Sequence, residues 1–183
     1  GFDAAKLASV RPDGGSLVIC SEGAVQALFK IIMDPDMSEV GKIEVTLKKE
    51  DKTETVATLW QGKGVAMFFM TSNVKSNYCS EIVEKLFAAA TQKNCNVICL
   101  STIYKNSYQT PDGLMQIDES KPLPFKFIKS SHKNDKIEAM ISGNAAQFSP
   151  DNAFNFTGGL TAALLMEAEM AGRPAISLKC IVD

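Results

Sequence analysis

Residues 157–183 read TGGLTAALLMEAEMAGRPAISLKCIVD, and this stretch decides the fold. Thr157 is a candidate N-cap, and Gly158 and Gly159 precede a run of strong helix formers from Leu160 to Met170. Gly172 is placed to stop that helix, and Pro174 stands where a chain leaves one. Ala175 to Val182 is then mostly apolar and β-prone, the pattern of a central strand covered on both faces. A helix that feeds such a strand through a short break is the αβ half of a βαβ unit. Folds of that kind place ligands or partners where the strands end, which draws attention to Asp183.

Working outward, the same alternation recurs. Val65 to Met70 is a continuous apolar run and predicts a buried strand, as does Asn96 to Thr102. Between them, Asn77 to Lys93 carries Ile82, Val83, Leu86, Phe87 and Ala90 on one helical face. Leu17 to Cys20 is a short strand that turns through Ser21-Glu22-Gly23 into a helix from Ala24 to Met33. Lys42 to Lys48 alternates Ile43, Val45 and Leu47 with polar residues, and Thr53 to Trp60 is its hairpin partner. Tyr104 to Ser120 is polar and turn-rich and reads as a surface insertion. Ile137 to Ile141 reads as a short strand or a helical turn. The expectation is one α/β domain over 1–183, in three layers. A mixed, mainly parallel sheet carries helices on both faces, and residues 1–15 form a flexible lead-in.

Composition narrows the class. The chain has 183 residues, 45% of them hydrophobic, enough for one sizeable core. A net charge of −2 lacks the basic excess of a nucleic-acid binder, and the Lys126–Lys136 cluster reads as solvated surface. No apolar run approaches the roughly 18 residues of a membrane span. Gly1 to Gly15 holds no apolar h-region of a secretory signal, and an opening glycine suggests trimmed termini. Of five cysteines, Cys20, Cys99 and Cys180 lie in strand-like runs, where a thiol packs as a small hydrophobe. Cys95 and Cys99 stand in a CxxxC spacing with no second pair and a single histidine, His132, so no metal site is expected. The odd count of thiols points to a reducing, cytosolic or nuclear setting.

No catalytic constellation emerges. Gly14-Gly15-Ser16 precedes a strand, and Gly62-Lys63-Gly64 joins two strands, so neither forms a phosphate loop. Thr157-Gly158-Gly159 at a helix start offers amides to an anion, although no lysine or arginine adjoins it. Cys20 follows a strand, but its one histidine partner would be His132, which sits in a polar, cationic setting. Met166-Glu167 and Glu169 read as a solvated helix face.

The order and spacing of three stretches resemble the proteasome assembly chaperones. They are Val83-Glu84-Lys85-Leu86-Phe87 with Asn96 to Thr102, then Leu123-Pro124-Phe125-Lys126-Phe127, then Leu160 to Leu165 with Gly172-Arg173-Pro174-Ala175-Ile176 and Val182-Asp183. The resemblance implies a non-enzymatic, cytosolic and partly nuclear protein without cofactor. Such a protein pairs with a related second chaperone and holds α subunits of the 20S proteasome, with no part for nucleic acid or membrane. It also allows a homodimer when the chain is isolated. Family members reach the ring with a C-terminal hydrophobic-tyrosine-variable tail, a pattern that the residues before Asp183 do not carry. In this reading most of the cluster Phe125, Phe127, Phe148, Phe154 and Phe156 forms a lid over the core, and one or two exposed members among Phe125, Phe127, Phe154 and Phe156 anchor a partner, Phe154 and Phe156 first.

The fold of that family is similar to that of nucleoside phosphorylases and nucleosidases. An enzyme of that kind acting on a purine nucleoside is the alternative reading. Its ligand residues here would be Thr157, Gly158, Gly159 and the strand-end Asp183. Met166-Glu167 lies inside the helix and departs from that family's ribose-gripping pair.

Overall fold

The computed structural model describes residues 16–21, 36–47, 52–62, 65–70, 76–89, 96–114, 124–151 and 159–182. Strands β1 (Ser16–Cys20), β2 (Ser38–Leu47), β3 (Lys52–Gly62) and β4 (Val65–Met70) come first. Helix α1 (Ser76–Ala89), strand β5 (Asn96–Tyr104) and the small hairpin β6 (Gln109–Thr110) and β7 (Gly113–Leu114) follow. The chain continues through β8 (Phe125–Lys129), α2 (Asp135–Gly143), β9 (Phe148–Pro150), α3 (Gly159–Met170) and β10 (Ala175–Val182).

Eight strands form one sheet in the order β2-β3-β4-β1-β5-β10-β8-β9. The central pairs β4–β1, β1–β5 and β5–β10 are parallel, and β8–β9 is parallel at one edge. The β2–β3, β3–β4 and β10–β8 pairs are antiparallel. Period-two alternation divides the core between the two faces. On the first face Leu17, Ile19, Phe68, Val97 and Cys99 pack under α1 (Ile82, Val83, Leu86) and α3 (Leu160, Leu164, Ala168). On the second, Val18, Phe69, Leu100, Ile176 and Leu178 meet Ile137, Met140 and Ile141 of α2. Helices thus cover both faces of a mixed, mainly parallel sheet, the expected three-layer α/β arrangement.

Local chemistry explains the element ends. Gly172 takes φ +66, where a β-carbon is strained. Its amide bonds Glu169 O at 3.2 Å, and the Arg173 amide bonds Ala168 O at 2.8 Å, so the expected stop of α3 is a Schellman turn. The segment Ile137 to Ile141, read as a strand or a turn, lies inside α2. The Asn134 side chain caps that helix by accepting from the amides of Lys136 and Ile137 at 2.9 and 3.3 Å. The 104–120 segment is not all surface, because Tyr108 is fully buried. The helix expected over Ala24–Met33 lies outside the described residues.

Candidate functional site at the strand ends

Because β4, β1, β5 and β10 run parallel, their carboxyl ends share one rim, and α3 begins there because it leads back into β10. In this architecture that rim is where a ligand site is built. Lys179 sits within β10, in register with Ser101 of β5 on one side and Lys126 of β8 on the other. All three positions belong to the face that α1 and α3 cover.

Lys179 is a cation inside a strand that is otherwise almost wholly buried, so it needs a partner. Its Nζ donates to Asp151 Oδ2 at 2.7 Å, with side-chain exposures of 9% and 1%. The other carboxylate oxygen of Asp151 accepts from the Tyr108 hydroxyl at 2.7 Å. Beside them, Lys126 Nζ donates to Ser149 Oγ at 2.8 Å and lies 5.7 Å from the centre of the Tyr108 ring. The side chains come from four places: the segment after β5 (Tyr108), β9 and its exit (Ser149 and Asp151), β8 (Lys126) and β10 (Lys179). Two charges taken from water repay that cost only when geometry and hydrogen bonding are good. Here the carboxylate binds two donors and fastens the 104–114 segment to the middle of the sheet.

The residues singled out in the sequence fall in several places. Cys20 ends β1 on the second face. Burial and the neighbouring Cys99 push its thiol up to about 12, so it stays protonated and is a poor nucleophile at neutral pH. His132 lies at the opposite end of the sheet, where its Nε2 is 3.2 Å from the backbone oxygen of Glu169. Glu169 lies on an exposed face of α3, as expected, and its carboxylate accepts from the Ser131 amide at 2.8 Å and from the Ser131 hydroxyl. These bonds hold its carboxyl below the ordinary range. Cys20, Cys79, Cys99 and Cys180 are all buried.

Phe125 and Phe127 project from β8 onto the second face, half-buried beside α2. The Phe125 ring meets Phe148 edge-on, with centroids 5.3 Å apart. Gly159 opens α3 with φ +58. Phe154, Phe156, Thr157, Gly158 and Asp183 lie outside the described residues. Among the described residues, no three His, Cys, Asp or Glu side chains converge as metal ligands, and no helix is long and apolar enough to cross a membrane.

Sequence reasoning missed the exposed apolar side chains. Tyr104, at the end of β5, is 63% exposed, and Met170 on α3 is 77% exposed, with Met166 one turn before it also open. Since α3 is apolar nearly all round, its pattern did not reveal which methionines face outward.

Neither a protein-family model nor a curated protein matches this chain. Solved structures do. PbaA of Pyrococcus furiosus, an archaeal homolog of proteasome-assembly chaperone, is 13% identical with a TM-score of 0.62 over 92% of this chain and 72% of its own. A Thermoplasma acidophilum protein of unknown function is 13% identical, with a TM-score of 0.59 over 92% of this chain and 68% of its own. PbaB of P. furiosus, an archaeal proteasome activator, is 12% identical with a TM-score of 0.56, covering 91% and 75% of the two chains. At these identities the likeness is one of architecture: this chain has the fold seen in archaeal homologs of the proteasome-assembly chaperone.

Proposed function

We propose that this chain is a non-catalytic chaperone that pairs with a related second chaperone and promotes assembly of the 20S proteasome α-subunit ring. The observation that carries the reading is the fold shared with PbaA over 92% of the chain. The strand-end rim adds support. Its buried charges are tied to one another through Asp151, an arrangement that fixes segments in place. On this reading the protein works through its surface, in the cytosol and nucleus. Its contacts would include Phe154 and Phe156 together with the exposed Tyr104, Met166 and Met170.

A pull-down of the tagged chain from its native cell extract, read by mass spectrometry, tests this. Recovery of a related chaperone with proteasome α subunits, and without mature β subunits, is the expected result. A preparation free of proteasome components would overturn the proposal. Replacing both Phe154 and Phe156 by Ala should weaken that recovery while the fold is retained.

A further inference from the structure

The two edges of the sheet end differently. β9 is three residues long and closes on Pro150, which has no amide to offer a further strand. β2 runs for ten residues, and among the described residues its one strand partner is β3. Two bulges mark the β2–β3 ladder. Val40 is the extra residue on β2, between the pairs Glu39–Trp60 and Gly41–Leu59. Val56 is the extra residue on β3, between Ile43–Ala57 and Glu44–Thr55. The edge strand is therefore regular from Gly41 to Leu47.

Exposed edges are normally blunted with charge, and an edge of one sign repels another copy of itself. Here the signs alternate. Glu39, Lys42 and Glu44 are all exposed. The contact from Lys42 to Glu39, at 4.0 Å between two exposed groups, holds Lys42 only loosely.

We infer that β2 pairs antiparallel with β2 of a second copy of this chain, about a twofold axis through Ile43. An antiparallel ladder matches residues that both point their amides toward the neighbouring strand or both away. Two identical strands can meet that condition only when the axis passes through a residue. An axis through Lys42 sets Lys42 against its own copy, and an axis through Glu44 does the same for Glu44. An axis through Ile43 sets Lys42 opposite the partner's Glu44, and Glu44 opposite the partner's Lys42. Of these three axes, charge selects the one through Ile43. The result is an eight-stranded sheet continued into its copy, and the inference rests on the edge alone, independently of the chaperone reading.

Sedimentation of the purified chain across a concentration series tests it. The chain should dimerise. Lys42→Glu or Glu44→Lys alone should weaken the dimer about tenfold, because two favourable cross-strand pairs become repulsive. The double variant, which exchanges the charges, should restore association. Amide hydrogen exchange within Gly41–Val45 of the unaltered chain should slow as concentration rises. A monomer at the highest soluble concentration would overturn the inference. So would a dimer indifferent to both single reversals, or one whose formation leaves exchange at Gly41–Val45 unchanged.

Discussion

Two bound carboxylates lie one near each end of β10, and they work in opposite settings. Near the start of the strand, Glu169 binds the amide and hydroxyl of Ser131 in the open. Ser130 is buried just beside this pair. Its hydroxyl donates to Arg173 O at 3.0 Å and accepts from the Ala175 amide at 2.9 Å. Toward the far end, Asp151 binds Lys179 and Tyr108 with almost no exposure to water. Water competes for the first carboxylate and screens its charge, so its bonds shape a loop more than they stabilise the molecule. Little water reaches Asp151 to replace a lost partner, so removing one leaves a charge poorly compensated. The difference teaches that chemically similar contacts set local geometry at one end of a strand and carry stability at the other.

The largest effect should come from Asp151→Asn, which strands the Lys179 ammonium in the interior. A loss of about 3–5 kcal/mol is expected in urea unfolding. The double variant Asp151→Asn with Lys179→Met should recover part of it, since the uncompensated charge is gone. Equal losses in the single and double variants would break the comparison. Tyr108→Phe removes one donor from the same carboxylate and should cost about 1.5–3 kcal/mol. It should also speed proteolysis within residues 104–114, which a purely global loss would not localise. Gly172→Ala forces a β-carbon into the left-handed region at φ +66 and should cost about 1–2 kcal/mol in thermal unfolding.

The smallest effect belongs to Glu169. Its carboxyl lies below its ordinary value of 4.5 in the folded chain, chiefly because Ser131 donates to it. The unfolded chain therefore takes up that proton first, and the contribution of Glu169 is complete above its unfolded value. It fades as the pH falls from 4.5 through the lower folded value. Glu169→Gln should flatten a slight part of the acid limb of a stability–pH profile and leave neutral stability nearly unchanged. A large loss at neutral pH would show that this end of β10 carries weight as well.

Much of this fold is legible in the residues because burial writes itself as pattern. Val65–Met70 and Ala175–Val182 are covered on both faces and so read as one unbroken and one mostly apolar run, which match β4 and β10 residue for residue. α1 shows its half-buried face through Ile82, Val83 and Leu86. α2 was harder to see, since nine residues give only about two and a half turns of periodicity and its clearest sign is the Asn134 cap. The strand-end cluster was not legible. Lys179 stands out as a charge in an apolar strand, but nothing local points to Asp151, 28 residues earlier, or to Tyr108, 43 residues before that. Pairing across a sheet depends on strand order, and strand order is set by the whole chain.

We propose above all that this chain acts in building the proteasome α ring. The most direct measurement adds the purified chain, with a co-purified partner chaperone, to free 20S α subunits and follows ring formation by native mass spectrometry. The account predicts faster and more complete rings than with either chaperone alone, and a ring intermediate that retains this chain. Ring formation at the same rate with and without it, with no retained intermediate, would contradict the account.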